Sequence, residues 1–189
     1  MKRPILTTFI LAAAAWMIAS PSQAQGHNQQ GTVVPYVCDD SDAGDVTARF
    51  VNYFGHFLLS IHADQENNGD NAGATVDGID GVPFRRLDMD FKGTCDGTIS
   101  IIYFGAANVQ GATATCDQAI QTPAPGGYTH LTFTPSMFGV AEGSKIGQFT
   151  VAQFTSDTEP RNDLITNVRV NGAPIAPNTQ QIAKCQFTN

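Results

Sequence analysis

Tyr128 to Phe133 (YTHLTF) alternates strictly. Thr129, Leu131 and Phe133 fall on one side of an extended chain, Tyr128, His130 and Thr132 on the other. A period of two buries its apolar half only when a sheet lays one face on a core, so such runs restrict the chain to packed β-layers. Similar runs follow from Pro83 onward: Leu87–Lys92, Thr98–Phe104, Ile146–Phe154 with Phe149 and Val151 on one face, and Ile165–Val170. Gly, Pro, Asn and Asp separate them. Asp96-Gly97 and Asn171-Gly172 are favoured in two-residue hairpin turns, because both positions accept positive φ. The first predicts a hairpin of 87–92 with 98–104, and the second a hairpin after Val170.

The first half is less regular. Thr32–Val37 reads as a strand, and Pro35, which has no N–H, suggests an edge position. In 46–62, residues Val46, Phe50, Tyr53, Phe54, Phe57 and Ile61 follow helical spacing behind a possible Asp45 cap. The Val, Phe, Tyr and Ile content, with Gly55 midway, suits two short strands. We prefer strands, with one short helix in 46–62 as the alternative. No repeat or linker divides the chain, so the expected fold is all-β, a single jelly-roll-like β-sandwich over 32–189.

Residues 1–24 are expected to be a cleaved signal peptide. Met1-Lys2-Arg3 is basic, Ile5–Ile18 is apolar, and Ser22 and Ala24 place small residues before Gln25. Position 25 is not Cys, so no lipid anchor is indicated, and 25–31 (QGHNQQG) reads as a loose polar arm. The protein is expected to be secreted or periplasmic, and the absence of any N-x-[ST] sequon fits a bacterial source. Without the leader, 8 basic residues face 17 acidic ones, a net charge of −9. That balance argues against nucleic acid or an anionic membrane as partner. The leader also removes Trp16, the single tryptophan.

In an exported chain, Cys38, Cys95, Cys116 and Cys185 read as two disulfides. Of three possible pairings we favour Cys95–Cys116, closing a local loop, and Cys38–Cys185, tying the first strand to the last. A bridge over about twenty residues contributes about 3 kcal/mol in the loop-entropy model. Neither C-x-x-C spacing nor paired histidines support a zinc site.

Two ligand chemistries are legible. Asp64, Glu66 and Asn68 alternate before Gly69 and Asp70, like the start of an EF-hand-type calcium loop, although Thr75 stands where the bidentate Glu would be. Asp39, Asp40, Asp42 and Asp45 form a similar cluster. Calcium would be structural in either place, and the plainer reading is a solvated acidic loop. A sugar-binding face would stack aromatic rings on a pyranose, and without tryptophan that role falls to Tyr36, Tyr53, Tyr103 or Tyr128. Tyr128 is the best candidate because its strand face also carries His130; the plainer reading is a half-buried sheet tyrosine. No catalytic residue is assigned: neither G-x-S-x-G nor H-E-x-x-H occurs. His56, His62 and Asp64 would share a strand face, as would Asp88 and Asp90, with Arg85-Arg86 available to balance the acids.

The run IGQFTVAQFTSDTEPRNDLITNVRVNG, Ile146 to Gly172, resembles the closing strands of secreted bacterial jelly-roll sandwiches such as carbohydrate-binding modules. Thr166-Asn167-Val168-Arg169-Val170-Asn171-Gly172 is similar to their terminal Asp-Asn-Val-x-Val-x-Gly pattern, with Thr166 where Asp is usual. The resemblance implies the fold more than any ligand. The leading expectation is a non-enzymatic secreted sandwich that binds a polysaccharide or cell-surface component. Alternatives are a fibre or matrix subunit that self-assembles through edge strands, and a small glycan hydrolase.

Overall fold

The computed structural model describes residues 31–38, 46–53, 55–64, 70–106, 111–154, 160–180 and 183–184. The strands are β1 (Thr32–Cys38), β2 (Val46–Tyr53), β3 (His56–Ala63), β4 (Asn71–Asp77), β5 (Leu87–Lys92), β6 (Ile99–Gly105) and β7 (Thr113–Thr115). They continue as β8 (Ile120–Ala124), β9 (Tyr128–Phe133), β10 (Ile146–Phe154), β11 (Arg161–Val170), β12 (Ala173–Pro174), β13 (Ala176–Pro177) and β14 (Ala183–Lys184). Among the described residues these form two seven-stranded sheets. One is ordered β13-β1-β4-β10-β6-β7 with β14 also on β1; the other is β2-β3-β11-β5-β9-β8 with β12 on β11. The late strands enter the sheet centres, β10 between β4 and β6 and β11 between β3 and β5. The fold is a jelly-roll-like β-sandwich.

Sequence expectations meet this topology unevenly. Residues 46–62 form the antiparallel pair β2–β3, with Gly55 at φ 83° in the turn, and no helix. Asn171 (φ 52°) and Gly172 (φ 83°) make the expected hairpin, pairing Val170 with Ala173. The hairpin expected at Asp96-Gly97 does not form: β5 and β6 lie in different sheets. Both strands carry an apolar residue at every second position, and they cover opposite sides of one core. The Asp96 carboxylate accepts hydrogen bonds from the Thr98 amide (2.9 Å) and hydroxyl (2.7 Å), and the chain crosses between layers there. β1 pairs with β4 along its length, while β13 and β14 reach only Thr32–Val33 and Tyr36–Val37 on its other side. Pro35 falls in the gap between them, where no donor is needed.

The core is the sum of the inward rows. Leu59, Ile61, Leu87, Met89, Phe91, Leu131, Phe133 and Ile165 come from one sheet; Ala74, Val76, Ile99, Ile101, Phe149 and Val151 come from the other. Aromatic rings close one end: Phe84 stacks on Tyr103 (5.6 Å between centroids) and meets Phe149 edge-on (4.9 Å). The Tyr103 hydroxyl donates to the Lys145 carbonyl at 2.9 Å, so its one polar atom is satisfied. Cys95, in the β5–β6 crossover, is bonded to Cys116 after β7. Cys38 is also disulfide-bonded, and Cys185, its expected partner, lies outside the described residues.

A partly buried ionic group fastens the same crossover to β11. Arg161 Nη1 lies 2.5 Å from Asp96 Oδ2, at ion-pair distance but without hydrogen-bond alignment. Asp163 is 1 % exposed, and a Cβ on Gly93 would collide with its carboxylate. Burial pushes the Asp163 carboxyl up to about 6, with Arg161 and the Thr94 amide opposing and Asp96 adding to the rise. Burial also raises Asp96, but hydrogen bonds from Thr98 and the positive charge of Arg161 outweigh it and hold that carboxyl below the ordinary range.

Two predictions follow from the packing. Phe84→Ala removes the ring at the centre of the aromatic cluster and is expected to cost about 3–5 kcal/mol in urea unfolding. Asp163 holds its proton in the folded state up to about pH 6 but releases it near 3.8 when unfolded. Its contribution to stability therefore falls as pH rises through that window and is level above it. Asp163→Asn should raise Tm at pH 8 relative to wild type and narrow the gap at pH 4. An unchanged difference across that range would contradict the assignment.

Candidate ligand-binding face

β5 sits at the middle of its sheet, between β11 and β9. Because Leu87, Met89 and Phe91 point into the core, Asp88, Asp90 and Lys92 must point outward. The register places Asp88 opposite Thr132 and Asp90 opposite His130 on β9. The outward row of β9 is thus Tyr128, His130 and Thr132, the alternation read from the sequence. Tyr128 and His130 do share a face, and His130 is 37 % exposed.

The polar groups on this face are bonded into a row. Asp90 Oδ1 lies 2.6 Å from His130 Nδ1, and Asp90 Oδ2 accepts from Asn167 Nδ2 at 2.6 Å. An ionised carboxylate only accepts, so the proton of a neutral ring lies on Nδ1, and Nε2 faces Asp88 Oδ1 at 3.6 Å. Asp88, 2 % exposed, accepts from the Thr132 hydroxyl (2.9 Å) and lies 2.7 Å from Arg86 Nε. That ion pair also lacks hydrogen-bond alignment. Neither acid is a free surface charge, and Arg86 does balance Asp88. Lys92 donates to the Gly126 carbonyl at 3.2 Å, and its Nζ lies 5.6 Å from the centroid of the half-buried Tyr128 ring.

The third strand of the face, β11, contains a bulge. Thr166 pairs with Asp90 and Arg169 with Asp88, so three steps on β11 match two on β5. Asn167 takes the left-handed conformation (φ 53°), which Asn tolerates better than most residues. The extra residue brings Asn167 and Arg169 to the same cleft as Asp90 and His130. This cleft has a volume of about 310 Å³ and is lined by Arg86, Asp88, Asp90, His130, Asn167 and Arg169. Across the bulge a second cleft of about 220 Å³ opens toward the end of the core, against Phe50, Phe57, Leu59 and Ile175. Convergent polar side chains mark the first as the candidate site.

Other candidates sort by burial. Tyr36 and Tyr103 are core residues, burial pushing both phenols up. Tyr53 is 63 % exposed at the end of β2. His56 and His62 stand at opposite ends of β3, roughly 20 Å apart at strand rise, too far to share an ion. Asp64 follows β3 and the buried Asp70 precedes β4. Glu66, Asn68 and the Asp39–Asp45 cluster lie outside the described residues, as does the leader. Among the described residues no three His, Cys, Asp or Glu side chains gather in a metal-holding arrangement.

No protein-family model and no curated protein matches the chain. Solved structures of similar architecture include the family 11 carbohydrate-binding module of the cellulosomal cellulase Lic26A-Cel5E of Clostridium thermocellum. It has a TM-score of 0.49 at 10 % identity, covering 82 % of this chain and 91 % of that one. The enzymatically active domain of bacteriophage CBA120 tailspike protein 4 gives 0.42 at 14 %, covering 77 % and 19 %. A xylan-binding domain of carbohydrate-binding module family 22 gives 0.36 at 14 %, covering 80 % and 93 %.

The bulge supplies a prediction. A left-handed L-residue costs roughly 1–2 kcal/mol, and Asn167 also holds Asp90. Asn167→Ala should lower stability by about 1–2 kcal/mol, while Asn167→Gly, which keeps the backbone conformation at little cost, should lose less. Equal losses in urea unfolding would deny the bulge its conformational role.

Proposed function

We propose that the protein is an exported glycan-binding β-sandwich whose contact surface is the outward face of β5, β9 and β11. The observation that carries this reading is the hydrogen-bonded row Asn167–Asp90–His130 in an open cleft, with Tyr128 two residues from His130 on the same strand face. A pyranose offers an apolar C–H face and a rim of hydroxyls. An aromatic side chain suits the first, and planar side chains already held in place suit the second with little ordering cost. The Cys95–Cys116 bond supports a location outside the cytoplasm, and no helix among the described residues is long and apolar enough to cross a membrane. Affinity electrophoresis in soluble polysaccharides should retard the wild type. Tyr128→Ala and His130→Ala should each weaken retention about tenfold without a matching loss in Tm. Absence of retardation across a broad polysaccharide panel rejects the reading.

A second reading, assembly through edge strands, is supported by β2. Among the described residues this eight-residue strand pairs with β3 alone. Tyr53 at its end and Phe57 beyond the turn are 63 % and 41 % exposed. Sedimentation that stays monomeric at millimolar concentration would remove it.

A further inference from the structure

We propose that Arg169 is the seat of a carboxylate, and that the glycan taken by this face carries an isolated uronic acid residue. The inference rests on the glycan reading and names the ligand class. Most charged groups on this face already have partners. Asp88 is buried, lies at ion-pair distance from Arg86 Nε and accepts from Thr132. Asp90 uses one oxygen for His130 and the other for Asn167. Lys92 is turned to the Gly126 carbonyl and the Tyr128 ring. Arg169 differs from all of these. It stands directly opposite Asp88 in the β11–β5 register, yet Asp88 is held by Arg86, and no carboxylate among the described residues lies within ion-pair distance of Arg169.

Its exposed side chain borders both clefts, on the far side of the bulge from the Asp90–His130 pair. A guanidinium with two adjacent N–H donors matches a carboxylate in bidentate geometry, which a sugar hydroxyl cannot fill. A sugar lying on the Asn167–Asp90–His130 row would therefore present a carboxylate, rather than a hydroxymethyl, to Arg169. The chain's net charge of −7 opposes dense polyanions, so one carboxylate on an otherwise neutral stretch is the form favoured.

The experiment compares retention of the full chain by glucuronoxylan, alginate oligosaccharides and hyaluronan fragments, each beside its carboxyl-reduced form. Glucuronoxylan, which carries isolated uronates on a neutral chain, is expected to bind about tenfold more tightly than its reduced counterpart. Arg169→Gln should close that gap, and Arg169→Lys should restore part of it by returning the charge without the fork. Arg169 is exposed on the rim, so both variants should melt with the wild type. Equal binding of acidic and reduced forms overturns the carboxylate assignment while leaving glycan binding standing. A gap that survives Arg169→Gln also overturns it. Retention of neutral polysaccharides alone counts against this inference only, whereas retention of none rejects the glycan reading together with it.

Discussion

The inward anchoring of β5 is the constraint on which the outward face depends. Leu87, Met89 and Phe91 are locked between Leu131 and Phe133 on one neighbour and Ile165, Val168 and Val170 on the other, all in one buried cluster. A slip of one residue would bury Asp88 and Asp90 in the core and expose three large apolar side chains. Each such side chain is worth about 1.5–3 kcal/mol on burial, so this register is strongly enforced. The acids are therefore outward because the core leaves them nowhere else. Their spacing follows from the pleat, which sets residues 88 and 90 on one face.

Given that register, neighbours decide what each acid can do. Asp88 lies low in the face and is enclosed by Arg86 and Thr132, which stabilise a buried charge that would otherwise be costly. Asp90 is more open and orients two planar side chains, His130 and Asn167. The bulge in β11 completes the arrangement. It turns Asn167 into the left-handed region and carries Arg169 past the row, to the border between the polar and apolar clefts. A straight β11 would have sent Asn167 inward, where its amide would displace apolar packing. The same device that interrupts the ladder builds the cleft.

The opposite end of β11 is fastened differently. The Asp96–Arg161–Asp163 group and the Cys95–Cys116 bond both tie down the β5–β6 crossover, one by charge and one covalently. Such double fastening suits a segment that leaves one sheet and enters the other within a few residues. The aromatic cluster around Phe84 supplies apolar packing at the core end formed by Tyr103, Phe133, Phe138 and Phe149. Side-chain packing, rather than long connections, holds the two layers in alignment over the region where the candidate face lies.

Most strands were legible because alternation survives in local sequence: β9 and β10, and the turn at Asn171-Gly172, need no tertiary information. Even the β11 bulge left a trace, since the apolar positions change parity from Ile165 to Val168 and Val170, a shift that one extra residue requires. Asp96-Gly97 misled because a turn signal reports local φ preference and not the sheet into which the next strand goes. Sequence could rank Tyr128 first only through its face neighbour His130, and burial then removed Tyr36 and Tyr103. Pairing between strands far apart in the chain likewise set Asp90 against both His130 and Asn167, and left Arg169 without a carboxylate partner among the described residues. Alternation within each strand dictates the β-layers and which residues turn outward, because a period of two is a local property. Which outward residues meet depends instead on strand order, and strand order is set by the whole core at once.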